Sequence, residues 1–151
     1  MLSTLADINW IIVATHFGHL LAAYILAIPI AWNREQSERS AGLRTFPIVA
    51  LASCAFMLIA IDVFDEAVAQ SRVFEGIVTG IGFIGGGAIL KNTDRVRGTA
   101  TAASLWGTGA IGIAVAWQRL EIALVLCVLI FLTLFTFRHF KKPEARDSRA
   151  G

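Results

Sequence analysis

Cysteine, proline and tyrosine are scarce in this chain, with two, three and one among 151 residues. Cys54 and Cys127 both lie inside apolar runs without ligand-like spacing, which leaves no basis for a disulfide framework or a zinc site. No linker or low-complexity tract interrupts the chain, and its polar connections are too short to fold or to carry a separate activity. Charge is sparse as well: 16% charged against 56% hydrophobic residues, with a mean hydropathy of +0.69. That balance is too apolar for an ordinary soluble fold, so lipid is part of the solvent. Met1 to Trp10 contains no Lys or Arg, hence no basic region of a cleaved signal, and the first apolar stretch reads as a retained helix. There is no nucleophile, base and oxyanion arrangement, so the sequence points to no enzyme, cofactor or resident metal.

What the chain has is a series of uncharged stretches near the roughly 20 residues a spanning helix needs. They are Ile8–Ala31, Thr45–Ile61, Val73–Leu90 with Glu75 in its first turn, Thr99–Trp117 and Ile122–Phe137, the last being the shortest. Trp10 and Trp32 bracket the first as belt-type aromatics about 33 Å apart on a helix, close to a hydrocarbon thickness. Basic residues alternate between rich and poor connections: Arg34, Arg39 and Arg44, then Arg72, then Lys91, Arg95 and Arg97, then Arg119, then five after Phe137. Cytoplasmic flanks retain Lys and Arg, so the rich connections belong inside and the poor ones outside. The reading is an all-α, five-helix transmembrane bundle over residues 1–137 with the N-terminus outside, followed by a basic cytoplasmic tail over 138–151. Pro29 is expected to kink the first span. A basic inner face suits anionic headgroups, and the bilayer as partner makes a nucleic acid unnecessary.

Glycine is concentrated in Gly76-Ile-Val-Thr-Gly80-Ile-Gly82-Phe-Ile-Gly85-Gly86-Gly87. Gly80, Gly82 and Gly85 spell GxGxxG, but that fingerprint requires a preceding strand and an acidic residue about 20 positions on, and position 105 is Leu. Within a membrane, Gly76/Gly80 and Gly82/Gly86 are i,i+4 pairs that clear one helix face for a neighbouring backbone. The fourth span offers a matching stripe of Ser104, Thr108, Gly112 and Ala116. Tight packing of the third and fourth spans follows, with Gly76, Gly80, Gly82, Gly85, Gly86, Ser104, Thr108 and Gly112 as the packing motif and Trp106 filling an adjacent groove. The other reading is an unwound, carbonyl-lined ion path.

Ionisable residues inside spans face the interior and mark candidate sites. His16 and His19, one turn apart in the first span, are either a proton or ligand site or a hydrogen-bonded pair that aids helix association. Asp62, Asp65 and Glu66 form an acidic group that suits hydrated Mg²⁺ or is simply solvated. Arg44, at the start of the second span, can reach headgroups or a carboxylate, with Glu35 and Asp94 as candidates. Arg72 and Glu75 can pair with each other. Arg34 and Glu35 belong to a mixed-charge connection whose surface pairs contribute about 0–1 kcal/mol each.

Taken together, Arg34-Glu35, Ala41-Gly-Leu-Arg-Thr45, Arg72, Gly80-Ile-Gly-Phe-Ile-Gly85, Gly98 and Thr101-Ala-Ala103 followed by Trp106 resemble the MgtC/SapB family of bacterial inner-membrane proteins. Asn33, Phe46, Glu75 and Thr99-Ala100 depart from the residues usual there. The resemblance implies a multi-pass inner-membrane protein linked to growth under low magnesium and, in some pathogens, to survival inside host cells. Larger members carry a soluble C-terminal domain, which this chain is expected to lack. A regulatory or interaction protein acting on another membrane complex, or on itself as a homo-oligomer, is the implied role, with a Mg²⁺ or coupled-cation transporter as the alternative.

Overall fold

A computed structural model of the chain describes residues 8–36, 41–92 and 95–137. Five helices account for most of them: α1 (Trp10–Glu35), α2 (Thr45–Val63), α3 (Ala67–Gly87), α4 (Thr99–Ala116) and α5 (Leu120–Thr136). Between α3 and α4, where the sequence suggests only a short basic loop, β1 (Leu90–Asn92) and β2 (Arg95–Arg97) pair as an antiparallel hairpin. The fold is the expected all-α bundle with that one addition.

Helix boundaries follow local chemistry. Asn9 caps α1, its Oδ1 accepting from the amides of Ile11 (3.0 Å) and Ile12 (3.4 Å), which satisfies donors a helix start leaves open. Pro29 does not end α1, which continues past Ala31 to Glu35 and so carries Asn33 and Arg34 into the helix. Pro47 lies in the first turn of α2, where its missing N–H costs no helical bond. The third helix begins at Ala67 rather than Val73, so Arg72 and Glu75 stand in its second and third turns instead of at its entrance. By length and composition α1, α2 and α4 can each cross a membrane. At 17 residues α5 is the shortest helix, as the sequence predicts.

The most buried helix is α4, which touches all four others, while α3, α2, α1 and α5 follow one another in an arc around it. Ser104, Leu105, Thr108, Ile111, Gly112 and Val115 of α4 are buried. Phe46, Met57, Leu105 and Ile111 are fully enclosed at the centre. The arc is open between α3 and α5, and Trp106 stands outward at 54% exposure. It does not fill a groove as expected, because its position on α4 turns it to that gap. Trp10 and Trp32 also point outward, as belt aromatics do. The short α1–α2 and α3–α4 connections share one end of the bundle, rich in basic residues, while Asp62 to Glu66 and the α4–α5 turn share the acidic end.

Candidate functional site

At the basic end, the apolar stripe that buries α1 runs on into a charge. Ala23, Ala27 and Ile30 are fully buried at i, i+4 and i+7, and the next step of the same stripe is Arg34, only 7% exposed. Its Nη2 donates to the Oδ1 of the equally buried Asn33 at 3.1 Å. The expectation of a solvated surface pair therefore fails for Arg34, because α1 continues a full turn beyond Ala31 and the guanidinium inherits the inward face. Thr101, in the first turn of α4 at the same end, is 2% exposed, and its hydroxyl has no hydrogen-bond partner among the described residues. Sequence reasoning passed over Asn33, Arg34 and Thr101 as site residues. Extending the Ala23–Ala27–Ile30 spacing by one turn would have found Arg34, whereas Thr101 is marked only as part of the Thr101-Ala-Ala103 motif, with nothing to show that its hydroxyl is left unsatisfied.

Glu35 does not reach Arg44. Its Oε2 accepts from the amide of Leu43 at 3.0 Å, just ahead of α2, where a helix start favours negative charge. Gly42 makes this possible, because a side chain there would collide with the Glu35 carboxylate. Arg44 occupies the N-cap position of α2, is exposed, and makes no ion pair among the described residues. Asp94, the other candidate partner, lies outside them. The basic end thus joins an inward guanidinium at Arg34 to an outward one at Arg44, with the Glu35 carboxylate fastening α1 to α2 between them.

The glycine segment behaves differently from expectation. A Cβ added at Gly76, Gly80, Gly82 or Gly86 would meet nothing within 4 Å, whereas one at Gly85 would approach the Ala102 carbonyl oxygen at 3.3 Å. Of the five α3 glycines in the packing motif, Gly85 alone carries a close helix approach within the chain. The fourth helix contributes more. At Gly112 a Cβ would meet the Ala50 carbonyl, Ser53 Cβ at 3.0 Å and Cys54 N at 3.1 Å, all on α2. Gly109 receives Ile81 of α3, and Gly107 receives Ile130 of α5. Ser104 and Thr108 are buried as expected, but they hydrogen-bond to carbonyls of their own helix, and the stripe they share with Gly112 meets α2 there. The reason is geometric: α4 is surrounded, so its small residues are needed on several faces, while most of the α3 glycines lie on faces the arc leaves open. The segment is helical through Gly87, so it does not unwind into a carbonyl-lined path. Gly76 and Gly80 instead help line a groove of about 480 Å³ between α2 and α3.

At the acidic end, His16 and His19 do not join each other. His16 Nε2 lies 3.2 Å from Asp62 Oδ2, tying the first turns of α1 to the last turn of α2. His19 Nδ1 is 3.0 Å from the Thr15 carbonyl, which can only accept, so that nitrogen carries the proton. Asp62, Asp65 and Glu66 are exposed, and no three metal-competent side chains come together among the described residues. Arg72 and Glu75, expected to pair, are both exposed and form no ion pair among the described residues. Arg119 and Glu121 do, at 3.6 Å on the surface.

Residues 20–142 match the MgtC family. Among curated proteins the chain is similar to Protein SrpB of Synechococcus elongatus, 33% identical over 83% of this chain and 74% of that protein. It is similar to Protein MgtC of Salmonella typhimurium, 36% identical over 74% of this chain. To the Escherichia coli protein named "Putative magnesium transporter YhiD" it is 32% identical over 78% of this chain. The chain spans 48% of the Salmonella protein and 58% of the Escherichia coli one. No solved structure matches it.

Proposed function

The chain belongs to the MgtC family, and from that premise we propose that this multi-pass inner-membrane protein is a non-enzymatic regulatory or interaction protein linked to magnesium limitation. The alternative is a carrier of Mg²⁺ or a coupled cation, the activity contained in the name of the Escherichia coli relative. In the proposed orientation the N-terminus is outside and the basic end faces the cytoplasm, following the bias of Lys and Arg.

The observation that carries the proposal is how the interior polar groups are spent. Ser53 donates to Val49, Ser104 to Ala100 and Thr108 to Ser104, each to a carbonyl of its own helix at 2.7–2.8 Å. Fully buried Phe46, Met57, Leu105 and Ile111 occupy the space between the helices. A Mg²⁺ ion demands near-octahedral oxygen ligands and sheds water reluctantly, so single hydroxyls set amid apolar side chains and bonded to their own helix support an interaction role over ion passage. The exposed Arg44 and the fastened Glu35 favour a contact made from the basic surface. Purified protein in liposomes loaded with a Mg²⁺ indicator is expected to give no uptake above empty liposomes. Protein-dependent uptake would reverse the ranking.

Arg44 is the residue through which we place the contact. Its guanidinium stands at the start of α2 without a partner among the described residues, and its planar fork can hold a carboxylate through two bonds, which a lysine ammonium does less well. Arg44→Lys keeps the positive-inside charge and removes the fork. The expected outcome is normal abundance in the membrane with loss of growth support at low magnesium, measured by complementation of a deletion strain. Full support by Arg44→Lys would reduce Arg44 to a headgroup anchor.

A further inference from the structure

We propose that the open face of α3 is a docking surface for a second copy of this chain, inserted in the same direction, so that α3 of each copy packs in parallel against α3 of the other. This goes beyond the functional reading above and does not depend on it. Gly76 and Gly80 stand one turn apart with open space above each, beside the groove between α2 and α3. Glycines spaced i,i+4 with nothing within 4 Å of an added Cβ let a second backbone approach closely, which is how helices associate where lipid removes the hydrophobic driving force. One turn towards the basic end Phe83 projects at 84% exposure. Knob and notch therefore lie on one helix at adjacent depths, as a two-fold pair of parallel helices requires.

Charge selects this occupant over lipid tails or an unrelated helix. Arg72 precedes Gly76 by one turn on the same helical stripe, and Glu75 lies three residues further along the adjoining exposed face. Both are exposed and without an ion pair among the described residues, even though i,i+3 spacing on a helix would permit one. Two identical helices related by an axis along the membrane normal hold equal residues at equal depth. The Arg72 of one copy then lies about 4.5 Å in depth from the Glu75 of the other, within reach of both side chains, and the axis repeats the pair. Acyl chains offer no counterpart to these charges at the edge of the groove.

The test uses two differently labelled versions of the whole chain reconstituted together in liposomes, with energy transfer as the readout. Wild-type copies are expected to associate. Arg72→Glu leaves two acidic residues on the face and Glu75→Arg two basic ones, so each variant alone is expected to associate about tenfold more weakly, the equivalent of ~1.4 kcal/mol. A mixture of the two variants restores both ion pairs and is expected to recover most of the transfer. Gly80→Leu should lower association while leaving the monomer folded, since its side chain enters open space. No transfer between wild-type copies, unchanged association in the single charge variants, or a mixture that recovers nothing would each overturn the proposal. A monomer that holds phospholipid in the groove would do so too.

Discussion

Gly112→Ala is expected to destabilise the bundle by about 1–3 kcal/mol, towards the upper end of what one added methyl costs in a packed core. The added carbon would run into the Ala50 carbonyl and stand 3.0 Å from Ser53 Cβ and 3.1 Å from Cys54 N. Two of these three are backbone atoms of α2, which no rotamer change can move. Relief requires α2 and α4 to separate, and α2 already holds the fully buried Ala50, Cys54 and Met57 in the same interface. Gly80→Ala, the same chemical change one helix away, meets nothing within 4 Å and should cost only its small effect on helix propensity, which favours alanine. Thermal unfolding of the detergent-solubilised protein, followed by size-exclusion fluorescence, should separate the two variants clearly. Equal midpoints for Gly112→Ala and Gly80→Ala would mean that α4 does not approach α2 this closely.

That contrast locates what could and could not be read from the chain. Five helices were legible, because membrane spans are written in long uncharged runs, but α1 runs on to Glu35 and α3 spans Ala67–Gly87 rather than Val73–Leu90; Trp10 and Trp32 took the surface positions that amphipathic rings prefer. Which face of each helix turns inward was not legible. In water the polar face of a helix declares itself, but in lipid Ile77, buried against the core, and Ile84, exposed, are equally apolar. Glycine says still less, since a bare helix face serves a neighbour in the same chain, as at Gly85, or an open surface, as at Gly80. Only the position of α4 at the centre of the arc decided that Gly107, Gly109 and Gly112 would be the crowded set.

The candidate site was half legible for a related reason. Arg44 is an exposed charge at a span boundary, and the sequence marked it. Arg34 lies just ten positions earlier, and its burial depended on α1 running past Pro29 and Ala31 to Glu35. A charge two residues beyond Trp32 reads as a headgroup anchor until the helix phase is carried one turn further. The bond from the Leu43 amide to Glu35 was equally hidden, because a carboxylate that satisfies a helix start leaves no partner of opposite charge to look for. The Arg72–Glu75 pair failed in the other direction: correct spacing alone contributes only a few tenths of a kcal/mol at a surface, too little to hold two long side chains together.

Gly98→Ala is the second change with a large expected effect, and it tests how the basic end is closed. Gly98 follows directly on the Leu90–Arg97 pair of the hairpin and precedes the first residue of α4. Its φ is +91°, in the left-handed region, where an L-residue costs roughly 1–2 kcal/mol. A side chain would also run into the Ala88 carbonyl and stand 3.2 Å from Ile89 Cα, backbone atoms at the exit of α3. The turn therefore fixes the separation of α3 and α4 at their basic ends, four residues from where Gly85 meets Ala102. Strain and collision add here, so Gly98→Ala should reduce the folded fraction more than Gly85→Ala, whose nearest neighbour at 3.3 Å needs to move only a few tenths of an ångström. Gly98→Asn separates the two causes, because asparagine tolerates a positive φ better than alanine but still carries a Cβ. Folded protein extracted from membranes should be scarce for both Gly98 variants if close approach dominates. Recovery in Gly98→Asn alone would assign the requirement to the dihedral, leaving the hairpin free to sit further from the end of α3.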